Sequence, residues 1–141
     1  MVKKCEQCEK EFETNYKRAK VCSDDCKKDK FNKITGRFSD KSIATGTVGA
    51  ISEMVVAVDL MKKGYSVFRA LSQACLCDLI AYKDGKSILV EVRTGYEQDN
   101  GKMFFPTNVR DKGRQDIFGV YERAKNKISY FNKDRKPINI I

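Results

Sequence analysis

Two short apolar runs joined by a tight turn constrain this chain more than any other feature. The first run is Cys77-Asp78-Leu79-Ile80-Ala81-Tyr82, and Lys83-Asp84-Gly85 forms the turn. The second is Ser87-Ile88-Leu89-Val90-Glu91-Val92-Arg93. Apolar runs around an Asp-Gly turn read as an antiparallel hairpin. Side chains alternate between the faces of a strand, so Glu91 and Arg93 share one face. Ile88, Val90 and Val92 take the other, toward a core. In such a hairpin Asp78 approaches Glu91. Two carboxylates and a fixed cation at a sheet end can hold a divalent metal and a phosphate.

The flanking segments fill out an α/β domain. Val48 to Lys63 reads as the strongest helix, with Gly64 as a left-handed C-terminal cap. On its wheel Ser52, Asp59, Lys62 and Lys63 fall on one side. Glu53 projects instead among Val56, Ala57 and Leu60. A carboxylate there is costly unless something pairs with it. It reads as a third acid of a metal site or as a water-orienting group; the alternative is a salt-bridged glutamate at the helix edge. Tyr65 to Leu71, Ile117 to Tyr121 and Ile128 to Phe131 read as further strands, the last two joined by the basic stretch Arg123 to Lys127. Residues 94 to 115 read as a long polar loop with a hairpin around Met103-Phe104-Phe105. The C-terminal residues, ending Ile138-Asn139-Ile140-Ile141, carry little signal.

The order Gly49…Glu53…Gly64-Tyr65-Ser66-Val67…Asp78-Leu79-Ile80-Ala81…Glu91-Val92-Arg93 resembles the PD-(D/E)XK nuclease superfamily. It is similar in particular to archaeal Holliday-junction resolvases and to group I intron homing endonucleases of this fold. The resemblance covers roughly residues 47 to 131. It departs at Cys77, where proline often precedes the first acid, and at Arg93, where lysine is usual. It implies a restriction-endonuclease-like mixed sheet flanked by helices. It further implies Mg2+ or Mn2+ held by Asp78, Glu91 and the backbone carbonyl of Val92. Glu53 would hold a second metal or its water, and Arg93 would sit beside the scissile phosphate. Arginine does not surrender its proton, so Arg93 would act by electrostatic stabilisation and positioning. Gln73 is a candidate water-orienting residue, and Arg110, Lys112 and Arg114 are candidate phosphate contacts. Nucleases of this fold often pair subunits to cut two strands, which implies a homodimer or higher oligomer.

Ahead of this domain lies a cysteine module, residues 1 to 33, and a polar linker, residues 34 to 47; the nuclease-like domain takes residues 48 to 141. Cys5-x2-Cys8 is followed, after thirteen residues, by Cys22-x3-Cys26. Two such pairs can close a tetrahedral Zn2+ site with four thiolates, and a fully occupied site is structural rather than catalytic. Ser23-Asp24-Asp25 reads as a helix start, with a serine cap and acids at the positive end of the dipole. The arrangement resembles treble-clef zinc fingers. Lys27, Lys28, Lys30 and Lys33 on the following helix read as DNA-backbone contacts. Cys75 and Cys77 read as buried thiols.

Composition bounds the function. The 141 residues carry a formal net charge of +9 and no histidine. The charge suits a polyanion, whose condensed counterions lysine and arginine displace. The lack of histidine excludes Ser-His and Cys-His catalysis and mixed Cys/His zinc sites. No apolar run approaches the ~20 residues of a membrane span, and the first residues do not read as a signal peptide. The expected location is a reducing cytoplasm, bacterial, archaeal or phage-encoded. The expected function is metal-dependent DNA endonuclease activity, of homing or resolvase type, with a zinc finger aiding DNA binding. The competing readings are a non-catalytic DNA-binding module on a degenerate nuclease fold, and an RNA-binding or protein-interaction module.

Overall fold

The computed structural model describes residues 1–36, 43–72, 74–107 and 114–141. Strand β1 (Val2–Lys4) pairs antiparallel with β2 (Glu11–Glu13), and the Cys5-x2-Cys8 knuckle forms the connection. Helix α1 (Asp24–Thr35) begins at Ser23, whose hydroxyl accepts a hydrogen bond from the Cys26 N–H at 3.2 Å. Helix α2 (Thr45–Lys62) starts three residues earlier than the apolar pattern predicts, inside the segment expected as a linker. Thr45, Gly46 and Thr47 are weak helix formers, but the helix already carries them.

Beyond α2 come β3 (Ser66–Arg69), β4 (Leu79–Lys83), β5 (Lys86–Thr94), β6 (Tyr96–Glu97), β7 (Met103–Phe104) and β8 (Ile117–Glu122). A 3₁₀ turn (Arg123–Lys125), β9 (Lys127–Asn132) and β10 (Pro137–Ile138) follow. Six strands form one mixed sheet in the order β10-β9-β8-β5-β4-β3. Among the described residues, only β5 and β8 run parallel within it. The β4–β5 hairpin is present, and its turn takes positive φ at Asp84 (51°) and Gly85 (78°), as a two-residue hairpin turn requires. The hairpin around Met103 also forms, as the small β6–β7 pair. Edge strand β10 was not legible in the sequence; two residues are too short a run to show a period, and they are ordered by pairing with Phe131 and Tyr130.

Helix α2 covers one face of the sheet. Val56 and Leu60 are buried against Leu79, Ala81, Val90 and Val92. The Gly119 backbone approaches so closely that a Cβ there would lie 2.7 Å from Val56 Cγ1. Ser52 joins this buried stripe, donating back to the Val48 carbonyl at 2.9 Å. The helical wheel groups Ser52 with the lysines, but its four-residue spacing from Val56 and Leu60 puts it on the core side. Asp59 also turns inward, accepting from Tyr130 Oη at 2.6 Å and from Lys63 Nζ at 2.8 Å. On the opposite sheet face Phe105, Phe118, Val120 and Phe131 form a second cluster. The Arg135 guanidinium lies 4.4 Å from the Phe105 ring centre and donates to the Phe105 carbonyl at 2.5 Å. Burial of one such ring is worth about 1.5–3 kcal/mol.

Candidate functional site

The hairpin register sets the acidic site. Leu79 pairs with Val90, so Asp78, one residue before β4, stands across from Glu91. Asp78 is fixed by its own acceptor role: Oδ2 receives the Val92 N–H at 2.8 Å. Glu91 and Arg93 share a strand face and meet at 2.7 Å between Oε1 and Nη1. The same Nη1 lies 3.9 Å from Asp78 Oδ2 and donates to the Val92 carbonyl at 2.9 Å. One guanidinium nitrogen therefore contacts the three oxygen-bearing groups that the family resemblance implies as ligands of a divalent metal. That is evidence for the fit. Oxygens converging on a single cationic point make a set of hard donors suited to Mg2+ or Mn2+.

Glu53 comes to the same place from α2. Together with Gly49 and Ser52 it lines a cavity of about 710 Å3 whose other wall includes Asp78, Val92 and Arg93. Glu53 is salt-bridged to Arg69 Nε at 2.8 Å, as the alternative reading expects, and it lines the cavity beside Asp78. Arg69, at the end of β3, was missed in the sequence. Nothing local to its strand ties it to a helix residue sixteen positions earlier. Gln73, Arg110 and Lys112 lie outside the described residues. Arg114 is exposed, in the turn before β8.

The four N-terminal cysteines converge. Their sulfurs all lie within 4.8 Å of one another. Cys22 Sγ is 3.5 Å from Cys8 Sγ and 3.6 Å from Cys26 Sγ. A disulfide needs about 2.05 Å. A tetrahedron with metal–sulfur bonds of about 2.3 Å has edges of about 3.8 Å, close to these spacings. The thiols also differ in acidity. Burial raises Cys5, but the N–H groups of Cys8, Gln7 and Cys22 more than offset it and lower the thiol to about 6. Cys22, crowded by the Cys8 and Cys26 sulfurs, is pushed up to about 12. Four thiols in one place resist shared ionisation, which a bound cation would relieve. Away from this cluster, Cys77 is buried, and burial followed by the Glu91 charge raises its thiol. Cys75 is exposed, contrary to expectation, because it lies in the loop ahead of β4 rather than on the strand.

The α1 lysines are not equivalent. Lys27, Lys28 and Lys33 are exposed, while Lys30 pairs with Glu6. The cysteine module docks on the rest of the chain through Lys20 and Asp99, 2.6 Å apart, and through Phe31, whose ring meets Tyr96 edge-on at 5.9 Å. Phe31, Asn32 and Thr35 line the cavity that holds the acids. The sequence did not show this, since the contact joins modules with no shared pattern. Among the described residues no helix is long and apolar enough to cross a membrane.

No curated protein matches the sequence. Among solved structures the chain is similar to a bacterial homing endonuclease, I-Ssp6803I, at 18% identity and a TM-score of 0.56. That likeness covers 64% of this chain and 67% of the other, and at such identity it shows the fold alone. The PD-(D/E)XK endonuclease family matches residues 43–134, a stretch that includes Glu53, Asp78, Glu91 and Arg93. With both helix α2 and the strands that carry the acids inside a match spanning well over half its length, the chain belongs to the PD-(D/E)XK endonuclease family.

Proposed function

We propose that this protein is a metal-dependent DNA endonuclease of homing or resolvase-like type, with a structural zinc site that aids DNA binding. The observation that carries the reading is the meeting of Asp78, Glu91 and the Val92 carbonyl at one cationic atom, Arg93 Nη1. Asp78, Glu91 and that carbonyl would hold Mg2+ or Mn2+. A divalent ion there supplies Lewis acidity toward the phosphate and a more acidic water. Glu53, on the cavity wall, orients water or holds a second ion. Arg93 remains protonated and stabilises the negative charge that builds on the phosphate during attack. Cys5, Cys8, Cys22 and Cys26 would hold Zn2+, and the four-sulfur set leaves no open position for catalysis. Lys27, Lys28, Lys33 and Arg114 are exposed cations available to DNA phosphates, and Arg110 and Lys112 belong to the same proposal from the sequence. The family resemblance extends the reading to a homo-oligomer. The exposed apolar residues Ile51, Met54, Val58 and Met61 on the outer side of α2 support it.

One observation favours a second reading, a non-catalytic DNA-binding module. Arg93 already supplies positive charge to both acids, and lysine is the usual residue at that position. Plasmid cleavage with Mg2+ or Mn2+ separates the two readings. The endonuclease reading expects nicking or linearisation that disappears in Asp78→Ala and Glu91→Ala, both of which stay folded. A wild-type protein that binds DNA and cuts none in either metal supports the second reading instead.

A further inference from the structure

The cavity beside the acids has two walls of different origin. One is α2 and the β4–β5 hairpin; the other is α1 of the cysteine module, through Phe31, Asn32 and Thr35. This second wall is held firmly. Gly36, the C-cap of α1, has φ +64°, and a Cβ on it would lie 2.7 Å from the Ala124 backbone nitrogen and 2.8 Å from Arg123 Cβ. The helix end is thus wedged against the 3₁₀ turn. Phe31 against Tyr96 and Lys20 against Asp99 hold it from two other sides. At ~100° per residue, Lys28 falls between Asn32 and Phe31 on the same helix face, with Lys27 at its edge. Lys33 falls on the opposite face. Asn32 is half-buried and lines the cavity.

Resting on the endonuclease reading, we infer that α1 is the DNA-reading wall of the catalytic cleft. Asn32 contacts a base edge next to the cut, and Lys28 holds the adjoining phosphate. The volume of about 710 Å3 suits a ligand of one or two nucleotides. The occupant is a polyanion because Arg93 and Arg123 line the cavity and Lys28 lies one turn before Asn32 on the same helix face, in a chain of net charge +9. An asparagine amide offers a donor and an acceptor side by side, the pattern that matches adenine in the major groove. The cysteine module then does more than add affinity: it sets which bases lie at the scissile bond.

The test is selection from a random duplex library with the full chain carrying Asp78→Ala, with and without Asn32→Ala or Asn32→Asp. Binding is the readout, so it works whether or not the wild type cuts. A base preference on the order of tenfold or more at one position is expected with Asn32, lost with alanine and redirected with aspartate. In parallel, Lys28→Ala should flatten the salt dependence of binding by about one unit and Lys33→Ala by less. Identical preferences for all three residue-32 forms, or equal salt slopes for the two lysine variants, overturn the inference. So does selection of RNA over every duplex. An Asn32-dependent preference together with a wild-type chain that cuts no DNA in Mg2+ or Mn2+ would sink the endonuclease reading and leave base reading by α1 standing.

Discussion

Helix α1 buries none of its residues, while α2 buries Ser52, Val56 and Leu60 against a six-stranded sheet. The two regions are therefore ordered by different physics. The sheet domain rests on two apolar clusters, one on each face. The cysteine module has one buried apolar residue, Cys5, and a knot of four sulfurs in place of a core. A segment of that size cannot repay its chain entropy by burial alone, and ligand bonds can supply what is lacking. The difference teaches that the two halves of the cleft should fail under different insults.

The largest effect expected is loss of the zinc proposed at the four cysteines. Structural zinc contributes about 10–16 kcal/mol in isolated finger peptides. Cys22→Ser or a strong chelator should melt residues 1–36 and spare the sheet. Metal analysis together with amide NMR checks this. A zinc-free protein with a folded N-terminal module would break the comparison from one side. Phe105→Ala attacks the other. Removing that ring from its cluster should lower sheet stability by about 3–5 kcal/mol and leave zinc content unchanged, as read by urea unfolding and metal analysis. If both variants lost zinc and sheet together, the regions would form one cooperative unit.

Arg93 tests the point where the regions share a cleft. Arg93→Ala should slow cleavage by about 10²–10³-fold, the usual effect of losing one transition-state donor. Arg93→Lys should keep part of the rate. The alanine variant should also bind Mn2+ more tightly without DNA, measured by calorimetry, because Nη1 no longer competes for the Glu91 and Val92 oxygens. Equal Mn2+ affinity in both proteins would remove Arg93 from the metal seat.

The smallest effect is acid sensitivity confined to the sheet domain. Burial raises the Asp59 carboxyl, but hydrogen bonds from Lys63 and Tyr130 outweigh it and hold the pKa below the ordinary range. A carboxyl depressed in the folded state stabilises above its unfolded value, near pH 4, and loses that contribution as pH falls through its folded pKa. The urea midpoint of the sheet should therefore drop below about pH 4, and Asp59→Asn should drop less steeply. Parallel slopes for the two proteins would show that other groups control the acid limb.

Much of the architecture was open to reading before any coordinates. The β4–β5 hairpin, the pairing of Glu91 with Arg93 and the Ser23 cap all follow from local rules: period two in strands, positive φ at an Asp-Gly turn, and a hydroxyl facing free helix N–H groups. The spacing of four cysteines pointed to one cluster for the same reason, since the partners within each pair are near neighbours in sequence. What stayed hidden depends on residues far apart in the chain. The bond from Arg69 to Glu53, the inward turn of Asp59 to Tyr130 across seventy-one positions, and the docking of α1 beside the acids have no periodic trace. Sequence alone determined which side chains could do chemistry, because valence, charge and alternation are properties of short segments. Tertiary structure decided which of them share a cavity, because packing α1 and α2 around one sheet end depends on surfaces that exist only once the chain has closed.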